Sequence, residues 1–92
     1  MALFDLLGRR WAMGIVWNLS GGAMTFRELQ AACKSKGGTI SPSILNRRIK
    51  DLQEARLLER TIEGYKLTRL GDQLFALIEP LHDYSQKWKK AL

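Results

Sequence analysis

Residues 41–60 read SPSILNRRIKDLQEARLLER, and this pattern predicts a short amphipathic helix followed by a strand. Ser41 is a favoured N-cap residue, and Pro42 suits the first helical position because it has no amide hydrogen to lose there. Leu45, Ile49 and Leu52 recur at positions i, i+4 and i+7, so they form one apolar stripe. The sequence therefore places one side of this helix against a hydrophobic core.

The opposite side of the same helix is polar. It carries Ser43, Asn46, Arg47 and Lys50. Hydrogen-bond donors and cations on one helix face suit the base edges and phosphates of duplex DNA. A solvated surface helix has the same pattern, so the helix alone leaves both interpretations open.

The charge of the chain is unevenly distributed. The net charge is +6 and the isoelectric point is about 9.9, a value typical of nucleic-acid-binding domains. Five cations and no anion lie between Lys34 and Lys50. Such a cluster attracts polyanions, although acidic proteins or lipid headgroups would respond to it as well.

Length and composition predict one globular domain over residues 1–92. The single cysteine, Cys33, cannot form an internal disulfide and indicates a reducing environment. The longest apolar run, residues 11–17, is far too short to span a bilayer. We therefore expect a cytoplasmic protein, nucleoid-associated in a prokaryote.

Two helices are predicted before residue 41. The first runs from about Arg9 to Leu19, is apolar on nearly every side, and ends at Ser20-Gly21-Gly22. The second begins with a capping box, with Thr25 at the N-cap and Glu28 three residues later. A loop over residues 34–39 leads to the helix at Ser41.

After Ala55 the period changes from helical to extended. Residues 57–62 and 65–68 flank Glu63-Gly64, which predicts a short β-hairpin. Thr68 then caps a last helix that reaches toward Leu92, and Pro80 should kink or break it. The fold class is therefore mainly α with a small β-hairpin, in the order helix, helix, helix, hairpin, helix. This is a winged helix-turn-helix, which places its second helix in the major groove.

Four motifs in this order resemble the HxlR-type winged-helix transcriptional regulators, a MarR-like group. They are Leu7-Gly8-Arg9-Arg10-Trp11, Phe26-Arg27-Glu28-Leu29, the helix and strand over residues 40–60, and Leu67-Thr68-Arg69-Leu70-Gly71. The resemblance covers about residues 5–85. It implies a homodimer that binds double-stranded DNA at a pseudo-palindromic operator, with helix 41–55 as the recognition helix.

The resemblance also implies roles by position. The predicted DNA contacts are Thr25, Arg27, Lys34, Lys36, Ser41, Ser43, Asn46, Arg47, Lys50, Arg60 and Lys66. The predicted dimer interface uses terminal helices over about residues 5–20 and 68–92, with Trp11, Trp17, Leu74, Ile78, Leu81, Tyr84 and Trp88. Two departures from the family affect the surface expected to face DNA. The wing is unusually short, and the turn over residues 34–39 is longer and carries two extra cations.

Other chemistries find little support in the sequence. One histidine, His82, and one cysteine do not supply the three or four ligands of a metal site, and no nucleophile, base and orienting group occur together. We expect no catalysis, no metal, no cofactor and no membrane contact. Cys33 lies on the buried stripe of its helix, which favours a core residue over a redox sensor. A protein-interaction module that docks its basic face on an acidic partner remains the alternative function.

Overall fold

The computed structural model describes residues 2–92, and its elements follow the predicted order with two additions. The helices are α1 (Leu3–Leu7), α2 (Ala12–Leu19), α3 (Phe26–Ala32), α4 (Pro42–Glu54) and α5 (Arg69–Ala91). The strands are β1 (Lys34–Ser35), β2 (Gly38–Thr39), β3 (Leu58–Thr61) and β4 (Gly64–Leu67). The fold class is confirmed: α3 and α4 form the helix-turn-helix, and β3 and β4 form the wing. The additions are α1 and the pair β1–β2.

The core forms where α2, α3, α4 and the wing meet. Its most buried large side chains are Ile15, Leu29, Leu45, Ile49 and Leu52, each 1% exposed or less. Three of these are the predicted apolar stripe of α4, so the orientation of that helix is confirmed. Burying each such side chain contributes roughly 1.5–3 kcal/mol. The stripe therefore determines which side of α4 remains in solvent.

The capping box of α3 is confirmed. The Glu28 amide donates to the Thr25 hydroxyl at 3.2 Å, and the Thr25 amide donates to the Glu28 carboxylate at 2.9 Å. The hydrogen bond that the Thr25 amide donates to the Glu28 carboxylate, with a smaller contribution from the Thr25 side chain, lowers the pKa of Glu28 below its ordinary value. Just before the box, Met24 exchanges two backbone hydrogen bonds with Tyr65, at 2.9 and 2.8 Å. The start of α3 is thereby joined to the wing.

The predicted first helix over 9–19 is too long at its N-terminal end. Residues 8–11 form a turn, and α2 begins only at Ala12. Trp11 has φ 78°, in the left-handed region that bulky residues rarely adopt, so a right-handed helix cannot run through it. Upstream, α1 places Leu6 in the core.

Both short hairpins differ in detail from the predicted loops. The segment 34–39 is a two-strand hairpin in which Lys34 pairs with Thr39 and Ser35 with Gly38. In the wing, Thr61 pairs with Gly64, so the loop is Ile62-Glu63, one residue earlier than predicted. Gly64 itself lies in β4 with φ 125°.

Helix α5 begins as predicted and continues without a break. The Gly71 amide donates to the Thr68 hydroxyl at 3.1 Å, which confirms the cap. Of the kink or break predicted at Pro80, the break does not occur, since the helix runs to Ala91. Its first part is fixed by Leu74 and Ile78, which are buried, whereas every residue from Glu79 onward is exposed. No helix within residues 2–92 has the length and apolar character needed to cross a bilayer.

Candidate nucleic-acid interface

The solvent side of α4 presents the four side chains that the sequence singled out. Ser43, Asn46, Arg47 and Lys50 are all exposed, opposite the buried stripe. Arg47 and Lys50 form no ion pair within residues 2–92, so their charges are available to an external anion. This face combines two cations, an amide and a hydroxyl.

The N-terminal end of α4 is fixed by its cap. The Ile44 amide donates to the Ser41 hydroxyl at 3.3 Å, and that hydroxyl lies 3.4 Å from the Ser43 hydroxyl. Ser41 therefore has a structural role, whatever else it contacts. Thr25 also has a structural role, because its hydroxyl is the acceptor in the capping box of α3. Arg27, two residues later, is exposed and has no carboxylate partner within the described residues.

The β1–β2 hairpin carries Lys34 and Lys36, both exposed. The structure brings a third cation to this hairpin: Arg10 donates from Nη2 to the Ser35 hydroxyl at 3.3 Å. Its guanidinium also lies over the Trp11 ring, 5.1 Å from the centroid. The position of Arg10 could not be predicted from the sequence, because no local pattern relates Arg10 to Ser35, which lies 25 positions later.

A second group that the sequence did not single out lies on the flank of α4. One carboxylate oxygen of Asp51, Oδ2, accepts from Arg9 at 2.9 Å and from Arg48 at 3.2 Å. Arg48 also donates from Nε to the main-chain oxygen of Arg10 at 3.0 Å. The pair Arg48 and Asp51 could have been suspected from its i, i+3 spacing, whereas Arg9, 42 residues from Asp51, could not.

The two wing cations do not form one patch. Arg60 pairs with Tyr65 in the register, and Lys66 pairs with Glu59. Because successive strand residues point to opposite faces, Arg60 and Lys66 lie on opposite faces of the hairpin. Arg60 is further oriented by the Tyr65 ring, 5.7 Å from its guanidinium carbon. At the tip, Ile62 is fully exposed.

The residues predicted for a dimer interface separate into two groups. Leu74 and Ile78 pack into the core of the single chain, and Trp11 is half-buried against that core. Leu81, Tyr84 and Trp88 are 60%, 62% and 55% exposed along the distal part of α5. Trp17 lies between the two groups, with 37% of its surface exposed, so only this second group leaves most of its surface uncovered in the single chain.

An apolar groove of about 450 Å³ lies between α2 and α5. Its lining residues are Met13, Gly14, Trp17, Ile78, Leu81, His82 and Ser85. The Trp17 ring packs edge-on against the Phe75 ring, with 5.2 Å between the ring centroids, and the tilted His82 ring lies 4.9 Å from it. His82 is thus part of an aromatic surface.

Cys33 is buried, as predicted, with 2% of its surface exposed. Burial raises the pKa of the thiol, and the Asn18 amide, 4.0 Å from Sγ, opposes that shift only in part. A protonated, enclosed thiol is a poor nucleophile. Within residues 2–92, no three His, Cys, Asp or Glu side chains are arranged to hold a metal ion.

Comparison with known proteins matches residues 6–92 to the family described as HxlR-like helix-turn-helix. A possible HxlR family transcriptional factor from Thermoplasma volcanium is 32% identical with TM-score 0.82, over 98% of this chain and 84% of that one. Quinone-bound YodB from Bacillus subtilis is 30% identical with TM-score 0.80, over 91% of both chains. An HTH-type transcriptional regulator of Methanocaldococcus jannaschii is 26% identical over 91 residues, 99% of this chain and 86% of the relative.

Proposed function

Because the chain belongs to the HxlR-like helix-turn-helix family, whose members are transcriptional regulators rather than enzymes, we propose that it binds duplex DNA sequence-specifically as a homodimer. In this proposal the α4 helix of each subunit enters the major groove of one half-site. The dimer acts in the cytoplasm and binds a pseudo-palindromic operator. Half-sites about one helical turn apart follow from two-fold symmetry.

The observation that carries the proposal is the outer face of α4. Arg47 is exposed, has no carboxylate partner within residues 2–92, and lies beside Ser43, Asn46 and Lys50. A guanidinium fork matches guanine O6 and N7, so Arg47 is our candidate for a base contact. An ordinary solvated helix carries cations too, but it need not align four donor side chains opposite a fully buried stripe.

Phosphate contacts are proposed for the cations around this face. Lys50 and Arg27 flank it from α4 and α3, and Lys34, Lys36 and Arg10 form a cluster at the β1–β2 hairpin. Ser41 and Thr25 would add hydroxyl contacts beside their caps. Because Arg60 and Lys66 lie on opposite faces of a wing with a two-residue loop, we propose that the wing contributes less than α4.

The homodimer is proposed through the distal half of α5. From Glu79 onward every residue of the helix is exposed, and this part carries Leu81, Tyr84 and Trp88 on one apolar side. The groove next to Trp17 continues this surface onto α2. Apolar area of this extent on a long helix is typical of a subunit interface.

Two linked measurements test the proposal. Fragments of genomic DNA that the protein retains are selected, and binding to the enriched sequence and to random duplex DNA is titrated at several salt concentrations. We expect a preferred pseudo-palindrome and an affinity that falls steeply with salt. Arg47→Ala should cost roughly 1–3 kcal/mol on the enriched sequence and relax the preference at one base pair.

The matched control is Lys89→Ala, which removes one cation from the last turn of α5, away from α4. It should leave the base preference unchanged. The mass of the free protein, measured by light scattering, should be twice that of the chain. Absence of DNA binding even at low salt would reject the regulator and favour an acidic protein partner for the basic face.

A further inference from the structure

A network of three charged side chains and one main-chain carbonyl attaches α4 to the turn in front of α2. We call it the Asp51 latch; it consists of Arg9, Arg48, Asp51 and the main-chain oxygen of Arg10. Its three hydrogen bonds measure 2.9, 3.2 and 3.0 Å. The side chains of Asp51 and Arg48 are 14% and 17% exposed, whereas that of Arg9 is 39% exposed.

The latch is more than a pair of surface charges. Exposed ion pairs contribute little, because water screens them and two long side chains must be ordered. Here a mostly enclosed carboxylate accepts hydrogen bonds from two guanidinium groups. Arg48 donates both from Nη1 to Asp51 and from Nε to the main-chain oxygen of Arg10. Removing the carboxylate would leave Arg48 partly buried without its charge partner, so the contact between the turn and α4 would loosen.

The position of the latch on α4 is what gives it a consequence for binding. Successive helix residues are rotated by about 100°, so Arg48 and Asp51 lie on a flank between the buried stripe and the solvent face. Arg47 and Lys50 each precede a latch residue by one position. The apolar stripe holds α4 to the core, and the latch adds a directional restraint on its rotation about its own axis.

We propose that Asp51 is a positioning residue for sequence recognition: through the latch it fixes the rotation of α4, and so the aim of Ser43, Asn46 and Arg47 at the base edges. This inference rests on the proposed function. The inference predicts opposite effects on two kinds of DNA binding, because Asp51 is also an anion within the basic surface. Its charge opposes binding to any DNA, while its hydrogen bonds favour binding to one sequence.

The test is Asp51→Asn, which removes the charge and weakens the latch with little change in side-chain size. Binding to the enriched sequence and to random duplex DNA is measured at the same salt concentration. We expect affinity for random DNA to rise roughly twofold to fivefold, because one negative charge is removed from the basic surface. Affinity for the enriched sequence should fall, so that the ratio of the two drops about tenfold, which corresponds to the loss of one good base contact.

The matched control is Glu54→Gln, because Glu54 is exposed on the same helix and forms no ion pair within the described residues. It removes the same charge without touching the latch, so both affinities should rise together and their ratio should stay constant. Arg9→Gln supplies a second variant if Asp51→Asn does not fold. It removes the Arg9–Asp51 contact of the latch from outside α4, and the ratio should fall although the affinity for random DNA also declines.

The outcomes separate the inference from the function it rests on. If Asp51→Asn keeps the wild-type ratio of the two affinities, Asp51 is only a surface charge and the inference is overturned, whereas the proposed DNA-binding function is unaffected. Arg9→Gln decides the question in the same way if Asp51→Asn is unfolded. If the ratio falls for the latch variants and not for Glu54→Gln, the positioning role is supported. Wild-type protein that binds no DNA would remove the proposed function and this inference together.

Discussion

Replacing Gly64 by alanine should strongly destabilise the chain. Gly64 has φ 125°, a conformation that residues with a Cβ rarely adopt. A Cβ built there would also collide with the main-chain carbonyl of Met24. That carbonyl cannot easily move, because Met24 is held to Tyr65 by hydrogen bonds of 2.9 and 2.8 Å.

The magnitude follows from these two costs. A backbone held in a sparsely populated region costs of the order of 1–3 kcal/mol. Inserting a methyl group into a closely packed site typically costs another 1–3 kcal/mol. We therefore expect the free energy of unfolding to fall by about 4 kcal/mol, out of a total of roughly 5–14 kcal/mol for a chain of this length. The melting temperature should fall by roughly 15–30 °C.

Circular dichroism with urea and thermal denaturation measures this change, with Gly21→Ala as the control. An added Cβ at Gly21 has no neighbour within 4 Å, and its φ lies outside the left-handed range. That variant should stay within about 1 kcal/mol of the wild type. If the Gly64 variant proves no less stable than the Gly21 variant, the wing is not tied to the start of α3 in the way described.

Two further predictions concern ionisable groups. Glu28 has a folded-state pKa below its unfolded value, so the stability that it contributes is present above roughly pH 5 and is lost as the pH falls through the folded-state pKa. The difference in unfolding free energy between the wild type and Glu28→Gln should therefore shrink at low pH. A difference that stays constant down to about pH 3 would contradict the capping box. Cys33 should react with a thiol reagent much more slowly in the native protein than in denaturant, because its pKa is raised by burial; equal rates would mean that the thiol is accessible.

The elements that could be predicted are those with local chemical signals. The Thr25–Glu28 box, the Ser41 cap and the Thr68 cap each depend on residues three positions apart, and all three occur in the structure. The burial of the α4 stripe follows from helical periodicity alone. For the same reason the polar face of α4 could be identified before any tertiary contact was known.

The elements that could not be predicted depend on contacts between distant residues. Trp11 looks like a helical residue in the pattern, yet its backbone is left-handed where the turn meets α4. Arg10 reaches Ser35, and Arg9 reaches Asp51, only because the core brings α2, the β1–β2 hairpin and α4 together. The local pattern around Arg9 and Arg10 suggested the start of a helix and gave no sign of either partner.

Pro80 gives the long helix α5 a point of mechanical weakness at a particular place. Proline has no amide hydrogen, so the carbonyl of Ala76, four residues earlier, loses its helical donor. This occurs just after Ile78, the last buried residue, where the helix leaves the core. The eleven helical residues that follow, 81–91, extend roughly 16 Å at about 1.5 Å per residue. A bend of a few degrees at Pro80 would swing the far end of this arm by an ångström or more, while the packed body of the chain stayed rigid.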